Sequence, residues 1–330
     1  MNGETWKACC RLGACCGRDF LWTQGGGGNV SCIDASGGAP VLRIKRSGLR
    51  LRDLAVPGDL VPLPLGAVRD LFFSGVPDAD DRLEALAPAG FGAPSVEAFF
   101  HALLGPWTAH AHLVSATALA SIGGDPTSLV ARVGAQLGGF CEWVPYAPPG
   151  SALAREVHAR LGGPAPAQGA LLLRNHGAIV WGPSPEAVLT RFEELDAICR
   201  RLLGVLPSGS GLGRLEVGAF DPEGTVLGTG PWEPEAAAAL AGAWTPDAAL
   251  HYGHGVWAAP GDLPALGRLF LENGRFRYAC KKPGVLENAQ EIIEAQLTAH
   301  FWTGGRQAML APEQVEVLLR WGAGKYGTAK

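Results

Sequence analysis

The stretch LLLRNHGAIV, Leu171–Val180, sets two short apolar runs on either side of an Arg-Asn-His-Gly interruption. The runs are Leu171–Leu173 and Ala178–Trp181, with Asn175, His176 and Gly177 between them. The interruption reads as a tight turn, with Gly177 free to take positive φ. His176 then stands in that turn. A strand signal lies in TAHAHLV, where Trp107 and Thr108 precede His110 and His112, and Leu113 and Val114 follow them. A strand sends residues i and i+2 to one face, so His110 and His112 can grip a single ion; on a helix they would point to nearly opposite sides. Three imidazoles with a fourth position open form the donor set of a catalytic zinc rather than a structural one. The sequence therefore predicts Zn2+, or another divalent metal, at His110, His112 and His176.

Composition narrows the class of protein. At 330 residues the chain has room for two domains, and 47% apolar residues suffice for a core. The net charge of -4 and pI of about 6.1 leave no basic stripe for nucleic acid or an acidic membrane surface. No apolar run approaches the roughly 18 residues of a membrane span. The start, MNGETWKACC, lacks the charged-then-apolar order of a secretory signal. The expectation is a cytoplasmic protein with a small-molecule partner.

Punctuation gives the organisation. Residues 5–19 predict a helix interrupted at Gly13, ended by the Gly25–Gly28 run. Val30–Ile33 and Val41–Lys45 predict paired strands across ASGGAP. Pro94 and Ser95 open a helix to about Leu104, and helices follow at Ser115–Ile122 and Thr127–Leu137. SPEAVLTRFEELDAICRRLL, Ser184–Leu203, has a Ser-Pro-Glu start and a helical apolar period. A Gly/Ser/Pro-rich stretch over 207–230 reads as a linker between a first domain, 1–206, and a second, 231–330. In the second, Pro234–Ala241, Glu287–Phe301 and Ala311–Trp321 predict helices, while LHYGHGVW reads as an aromatic-rich strand end. Cys9, Cys10, Cys15 and Cys16 lack C-x2-C spacing, so they and the isolated cysteines read as structural thiols rather than a metal ribbon.

Six segments, QGGGGNVS, IKRSGLRL, PSVEAFFHALL, HAH, WVPYAPPG and LLLRNHGAIVWGPSPEAV, follow one another between about residue 15 and residue 203. In these the chain resembles the class II aldolase/adducin superfamily, whose best-known members are the fuculose-phosphate and rhamnulose-phosphate aldolases. The resemblance implies an α/β fold: an α/β/α domain around a central, mainly antiparallel sheet, followed here by a smaller C-terminal α/β domain. It also implies a phosphate site. The matching positions are Gly28 and Asn29, Ser47 and Gly48, and Ser95, with the helix after Ser95 adding its dipole. Many phosphate-using members have a second serine where this chain has Val96; Lys45 and Arg46 are the residues that can offset it. By itself GGGGNVS reads as a flexible loop or as a backbone anion nest, and it is neither a dinucleotide fingerprint nor a P-loop.

The implied activity is that of a zinc-dependent aldehyde-lyase acting on a small sugar phosphate through a metal-stabilised enediolate. Glu97, in PSVE, is the acid/base candidate; as a bare sequence feature it is also a carboxylate favoured near a helix start. His101, four residues on, reads as an outer neighbour of the site or as core. Aldolases of this type protonate the leaving fragment with a tyrosine from a neighbouring subunit. The nearest tyrosine after His112 is Tyr146, which belongs to WVPYAPPG; His251, Tyr252 and His254 are the other candidates. The resemblance implies a homo-oligomer with shared sites. It leaves open an epimerase or decarboxylase on the same metal, and a non-catalytic adducin-like interaction module.

Overall fold

Residues Asn29–Asp34 pair antiparallel with Val41–Lys45 on one side and with Trp107–Ala111 on the other, so that Ser31 lies between Ile44 and Thr108. These strands belong to a computed structural model that describes residues 3–205, 225–226, 233–256, 266–272, 275–280 and 282–326. The described chain divides into two units, residues 1–120 with 125–199, and residues 121–124 with 200–330.

In the first unit the elements run α1 (Gly3–Gly17), β1 (Asn29–Asp34), β2 (Val41–Lys45), β3 (Leu60–Pro64), α2 (Leu65–Phe73), α3 (Ala79–Glu84), α4 (Ala98–Leu103), β4 (Trp107–Ala111), α5 (Val114–Ser121), α6 (Pro126–Leu137), β5 (Phe140–Val144), α7 (Ser151–Leu161), β6 (Gly169–Leu173), β7 (Gly177–Gly182) and α8 (Pro185–Leu203), whose last turns cross into the second unit. The sheet order is β3-β2-β1-β4-β7-β6-β5. Every neighbouring pair is antiparallel except β5 with β6. This is the central, mainly antiparallel sheet of an α/β fold.

The sheet is covered on both faces, which explains why β6 and β7 read as continuous apolar runs: every residue of both is buried. Cross-strand partners share a face. Asn29 and His110 are partners, His110 and Ile179 are partners, and Ser31 and Thr108 are partners. These residues face α4, whose Phe99 and Phe100 join Leu171, Leu173, Ile179 and Trp181 in one buried cluster. The alternate residue Val30 faces α1, where it packs against Gly13.

That packing corrects the expectation for Gly13. Helix α1 runs through it without interruption. A Cβ there would stand 3.1 Å from a Leu54 methyl and 3.3 Å from a Val30 methyl. The missing side chain serves close approach, not a break in the helix.

Two further boundaries differ. The helix expected from Ser95 begins at Ala98 and is only six residues long, with Glu97 at its N-cap. Upstream, Pro94 bridges to Arg46 in an extended conformation, and the Ser95 hydroxyl accepts from the Glu97 amide at 3.3 Å, forming a turn before the helix. The HxH strand ends at Ala111, so His112 lies one residue beyond it and α5 starts at Val114.

The second unit holds β8 (Thr225–Val226), α9 (Glu233–Ala239), α10 (Pro246–Tyr252), β9 (Gly267–Glu272), β10 (Arg275–Cys280), α11 (Pro283–Thr303) and α12 (Pro312–Tyr326), with a three-stranded sheet in the order β8-β10-β9. LHYGHGVW is not a strand end. Leu250–Tyr252 close α10, a helix capped by the Thr245 hydroxyl on the Ala248 amide. Most of the expected linker, 207–230, lies outside the described residues; Thr225 and Val226 pair with β10. Among the described residues no helix is long and apolar enough to cross a membrane.

Candidate metal centre

The β6–β7 turn presents His176. Leu173 pairs with Gly177 at the base of the hairpin, and Arg174, Asn175 and His176 form the turn. The positive φ falls on Asn175, at 56°, and not on Gly177 as expected. Asparagine tolerates this region because its short polar side chain can bond locally. Gly177 has a different task. A Cβ at that position would sit 2.3 Å from the Ala111 carbonyl oxygen and 3.0 Å from the His112 Cα. The glycine lets β7 lie directly against the end of β4, which brings His176 beside His112.

The three imidazoles form a closed group. Ring centroids are separated by 5.1 Å for His110 and His112, 4.9 Å for His110 and His176, and 5.0 Å for His112 and His176. One ring nitrogen from each lies within 4.8 Å of the others, and all three residues are buried. Glu97 completes the cluster, with Oε2 3.6 Å from His110 Nε2 and Oε1 3.5 Å from His176 Nε2. Among the described residues, this triad is the one group of three or more histidines, cysteines or acids close enough to share an ion.

The chemistry of the group fits a divalent cation. His110 Nδ1 lies 3.0 Å from the Ala178 carbonyl, an acceptor only, so Nδ1 carries the proton and Nε2 presents its lone pair to the cluster. That buried Nε2 has no hydrogen-bond partner among the described residues. Burial, and then the neighbouring His176 and His112 rings, hold His110 well below the ordinary histidine range. A neutral imidazole is the form that ligates metal. The buried triad can therefore bind a divalent ion, with a carboxylate at hand.

Glu97 is anchored from the other side. Asn29 Nδ2 donates to Glu97 Oε2 at 2.7 Å and to Ser95 Oγ at 3.0 Å, while Asn29 Oδ1 meets His101 Nε2. His101 Nδ1 in turn meets Ser31 Oγ at 2.7 Å. Burial lowers the His101 pKa to about 3, so the ring is neutral. Of this network, sequence reasoning named Asn29, Ser95 and Glu97, placed His101 only loosely, and read Ser31 only as part of a backbone anion nest beside the glycine run. The signal for Ser31 was its place two residues after Asn29 on a strand.

The remaining expected anion residues gather beside this network. Gly28, at φ 64°, passes the His110 carbonyl so closely that a Cβ would stand 2.8 Å from it. Gly26 lies against Gly48, and the Ser47 amide bonds the Ala93 carbonyl at 2.8 Å. The buried Lys45 ammonium ties the two loops, donating to Gly26 O at 3.2 Å and Leu49 O at 2.6 Å. Arg46 is engaged elsewhere, with Asp59 at 3.1 Å.

The proton-donor candidates are placed as follows. Tyr146 lies two residues beyond β5; its hydroxyl is buried, with no hydrogen-bond partner among the described residues, and burial raises its pKa. In the second unit, His251 Nδ1 bonds the Asp247 carbonyl at 2.9 Å, Tyr252 donates to Gln296 Oε1, and His254 pairs with Glu316 at 2.7 Å. Seven of the eight cysteines are buried and all are free; burial pushes Cys10 up to about 11 and Cys16 up to about 12, which makes them inert thiols.

Residues 11–203 match the family model described as the class II aldolase and adducin N-terminal domain. Among solved structures, the N-terminal class II aldolase domain of a Thermoplasma acidophilum protein is 21% identical, covering 59% of this chain and 92% of that one, with a TM-score of 0.49. L-fuculose-1-phosphate aldolase from Thermus thermophilus is 21% identical over 62% of this chain and 95% of that one, with a TM-score of 0.42. A sugar-phosphate aldolase from Thermotoga maritima is 14% identical over 63% of this chain and all of that one (100%), with a TM-score of 0.44. Comparison with curated proteins finds no match.

Proposed function

The chain belongs to the class II aldolase and adducin family, and from that premise we propose that it is a zinc-dependent aldehyde-lyase acting on a small sugar phosphate. The observation that carries the reading is the buried His110–His112–His176 group with Glu97 3.5–3.6 Å from two of its rings. Those three histidines would hold the cation. When bound, it supplies Lewis-acid polarisation of a substrate carbonyl.

The chain's own residues supply the rest. Glu97 moves the proton on the carbon next to that carbonyl, as general base in one direction and general acid in the other. Its carboxylate is buried and held from behind by Asn29, so it is aimed before substrate arrives. Gly28, Ser47, Gly48 and Ser95 form the phosphate-binding rim, with the Lys45 ammonium beneath it. Asn29 belongs to this rim through its backbone, since its side-chain amide is committed to Ser95, Glu97 and His101. The six-residue α4 contributes little dipole, so the charge of Lys45 takes the larger part in drawing an anion. The working form is a cytoplasmic homo-oligomer in which a neighbouring chain completes the site.

A screen of four- to six-carbon sugar phosphates and sugar-acid phosphates tests the reading, with aldehyde, epimer and carbon dioxide recorded separately and metal content measured on the same sample. Aldehyde release supports the lyase. Epimer or carbon dioxide alone assigns the same residues to an epimerase or a decarboxylase. A chain that takes up no divalent ion is an adducin-like module and not an enzyme.

A further inference from the structure

The carboxylate of Glu97 decides the sense of a whole buried chain. An ionised carboxylate accepts only, so the Asn29 group facing it, 2.7 Å away, is the NH2 end of the amide. The Oδ1 end then faces His101 Nε2, which must carry the ring proton. His101 Nδ1 is left as an acceptor, and the Ser31 hydroxyl donates to it at 2.7 Å. Each donor points toward Glu97: Ser31 to His101, His101 to Asn29, Asn29 to Glu97. All four residues are buried, so water does not compete for any of these bonds.

We propose that His101 is a positioning residue, which through Ser31 and its own ring fixes the direction of the Asn29 amide and thereby the aim of Glu97. The proposal rests on the reading of Glu97 as the acid/base group. Geometry supports a role beyond filling space. Glu97 is the N-cap of α4 and His101 lies four residues on, so one short helix carries two members of the relay, His101 and its end at Glu97. Ser31 and Asn29 sit two residues apart on β1 and face the same side. The relay therefore pins α4 to the strand that pairs with the His110 strand. With an apolar side chain at 101, Asn29 Oδ1 loses its donor, the amide is held from its NH2 end alone by Glu97 and Ser95, and it can swing and carry the carboxylate with it.

The test compares His101→Leu, which removes the donor, with His101→Gln, whose amide nitrogen can reach the place of Nε2. The probe is dihydroxyacetone phosphate, a three-carbon phosphate ester with adjacent hydroxyl and carbonyl groups. Deuterium exchange at its hydroxymethylene carbon is followed on zinc-loaded protein. His101→Leu should keep one equivalent of zinc and an unchanged KM but lose about tenfold or more in kcat, the scale of a misaimed catalytic group. His101→Gln should recover most of that loss. The second readout uses metal-free protein with asparagine-selective 15N labelling. The Asn29 side-chain amide resonances should move in His101→Leu and return in His101→Gln. Full kcat in zinc-loaded His101→Leu overturns the proposal, as does an equal loss in both variants with the Asn29 resonances unmoved. If the wild type does not exchange the probe, the lyase reading is what fails, and the Asn29 resonances alone decide the relay. If His101→Leu does not fold, Ser31→Ala removes the first donor at little change in volume; it should shift the same resonances, and unmoved resonances there overturn the proposal.

Discussion

Gly177 packs against Ala111 so tightly that a single added carbon would lie 2.3 Å from the Ala111 carbonyl oxygen. The atom it would strike is backbone in a paired strand, which cannot swing aside. Gly177→Ala must therefore push β7 away from β4 and carry His176 away from His112. The expected cost is that of overpacking, about 1–3 kcal/mol of stability. The expected functional loss is larger, since the histidine triad that would hold the metal spans that joint. Denaturation midpoints and zinc affinity, measured on the same variant, check this. A variant with normal zinc affinity would show that the turn adjusts independently of the strand.

His112→Ala should empty the site while leaving the fold largely intact. His112 lies one residue beyond the end of β4, so the strand does not depend on its side chain. Metal analysis after dialysis against trace zinc reads the outcome directly. Stoichiometric metal in that variant would remove His112 from the ligand set.

Glu97→Gln separates chemistry from binding. The replacement is nearly isosteric and keeps an oxygen for the Asn29 amide, yet it cannot take up a proton. Zinc content should change little, and proton exchange next to the carbonyl should fall by roughly 10²–10⁴-fold. Wild-type exchange rates would hand the role to another residue.

Acidification of the metal-free protein gives a test that needs no substrate. Burial lowers the His101 pKa to about 3, and burial first of all also lowers those of His110 and His251. Each depressed folded-state pKa means that the unfolded chain binds the extra proton first. Stability is thus present above the ordinary histidine value near 6.5 and is lost as pH falls below it, at roughly 1.4 kcal/mol per pH unit for each such ring. Urea midpoints between pH 7.5 and pH 5, where carboxylates stay ionised, should fall steadily. A flat profile across that window would mean that these rings are not buried neutral in the folded protein.

Much of this was legible in the sequence, for identifiable reasons. Two apolar runs around NHG announced a tight turn, and the runs are apolar throughout because β6 and β7 are covered on both faces. HxH announced that His110 and His112 share one group, and they do, with ring centroids 5.1 Å apart although β4 ends at Ala111. What was not legible depended on partners distant in sequence. Gly13 reads as a helix breaker until Val30 and Leu54 are seen against it, and Gly177 reads as a turn glycine until Ala111 is. The place of the Asn29 side-chain amide, between Glu97 and His101, depends on residues 68 and 72 positions away in the chain. The helix α10 was hidden because HYGH, with its aromatic ring and glycine, mimics a strand end, while the Thr245 cap lies five residues upstream of Leu250.

Lys45 carries the last prediction. Val96 leaves the expected phosphate rim one hydroxyl short, and of the two basic residues that can offset it, Arg46 is paired with Asp59. Lys45 remains, buried, its ammonium held by the carbonyls of Gly26 and Leu49 from the two loops that would embrace the anion. A charge in that position acts through low-dielectric surroundings and is felt strongly over a few ångströms. Lys45→Met keeps the length and the apolar stem but removes the charge and both donors. Inorganic phosphate, measured by calorimetry, should bind roughly tenfold more weakly, in line with the loss of one nearby charge. Stability should fall as well, by no more than about 1–3 kcal/mol for each carbonyl, because two part-buried carbonyls lose their donor. Glu97→Gln is the control, since it alters the proposed acid/base group and leaves both loops intact, and its phosphate affinity should match the wild type. If Lys45→Met loses stability but binds phosphate as before, the lysine serves only to tie the loops, and the anion is held by backbone amides alone.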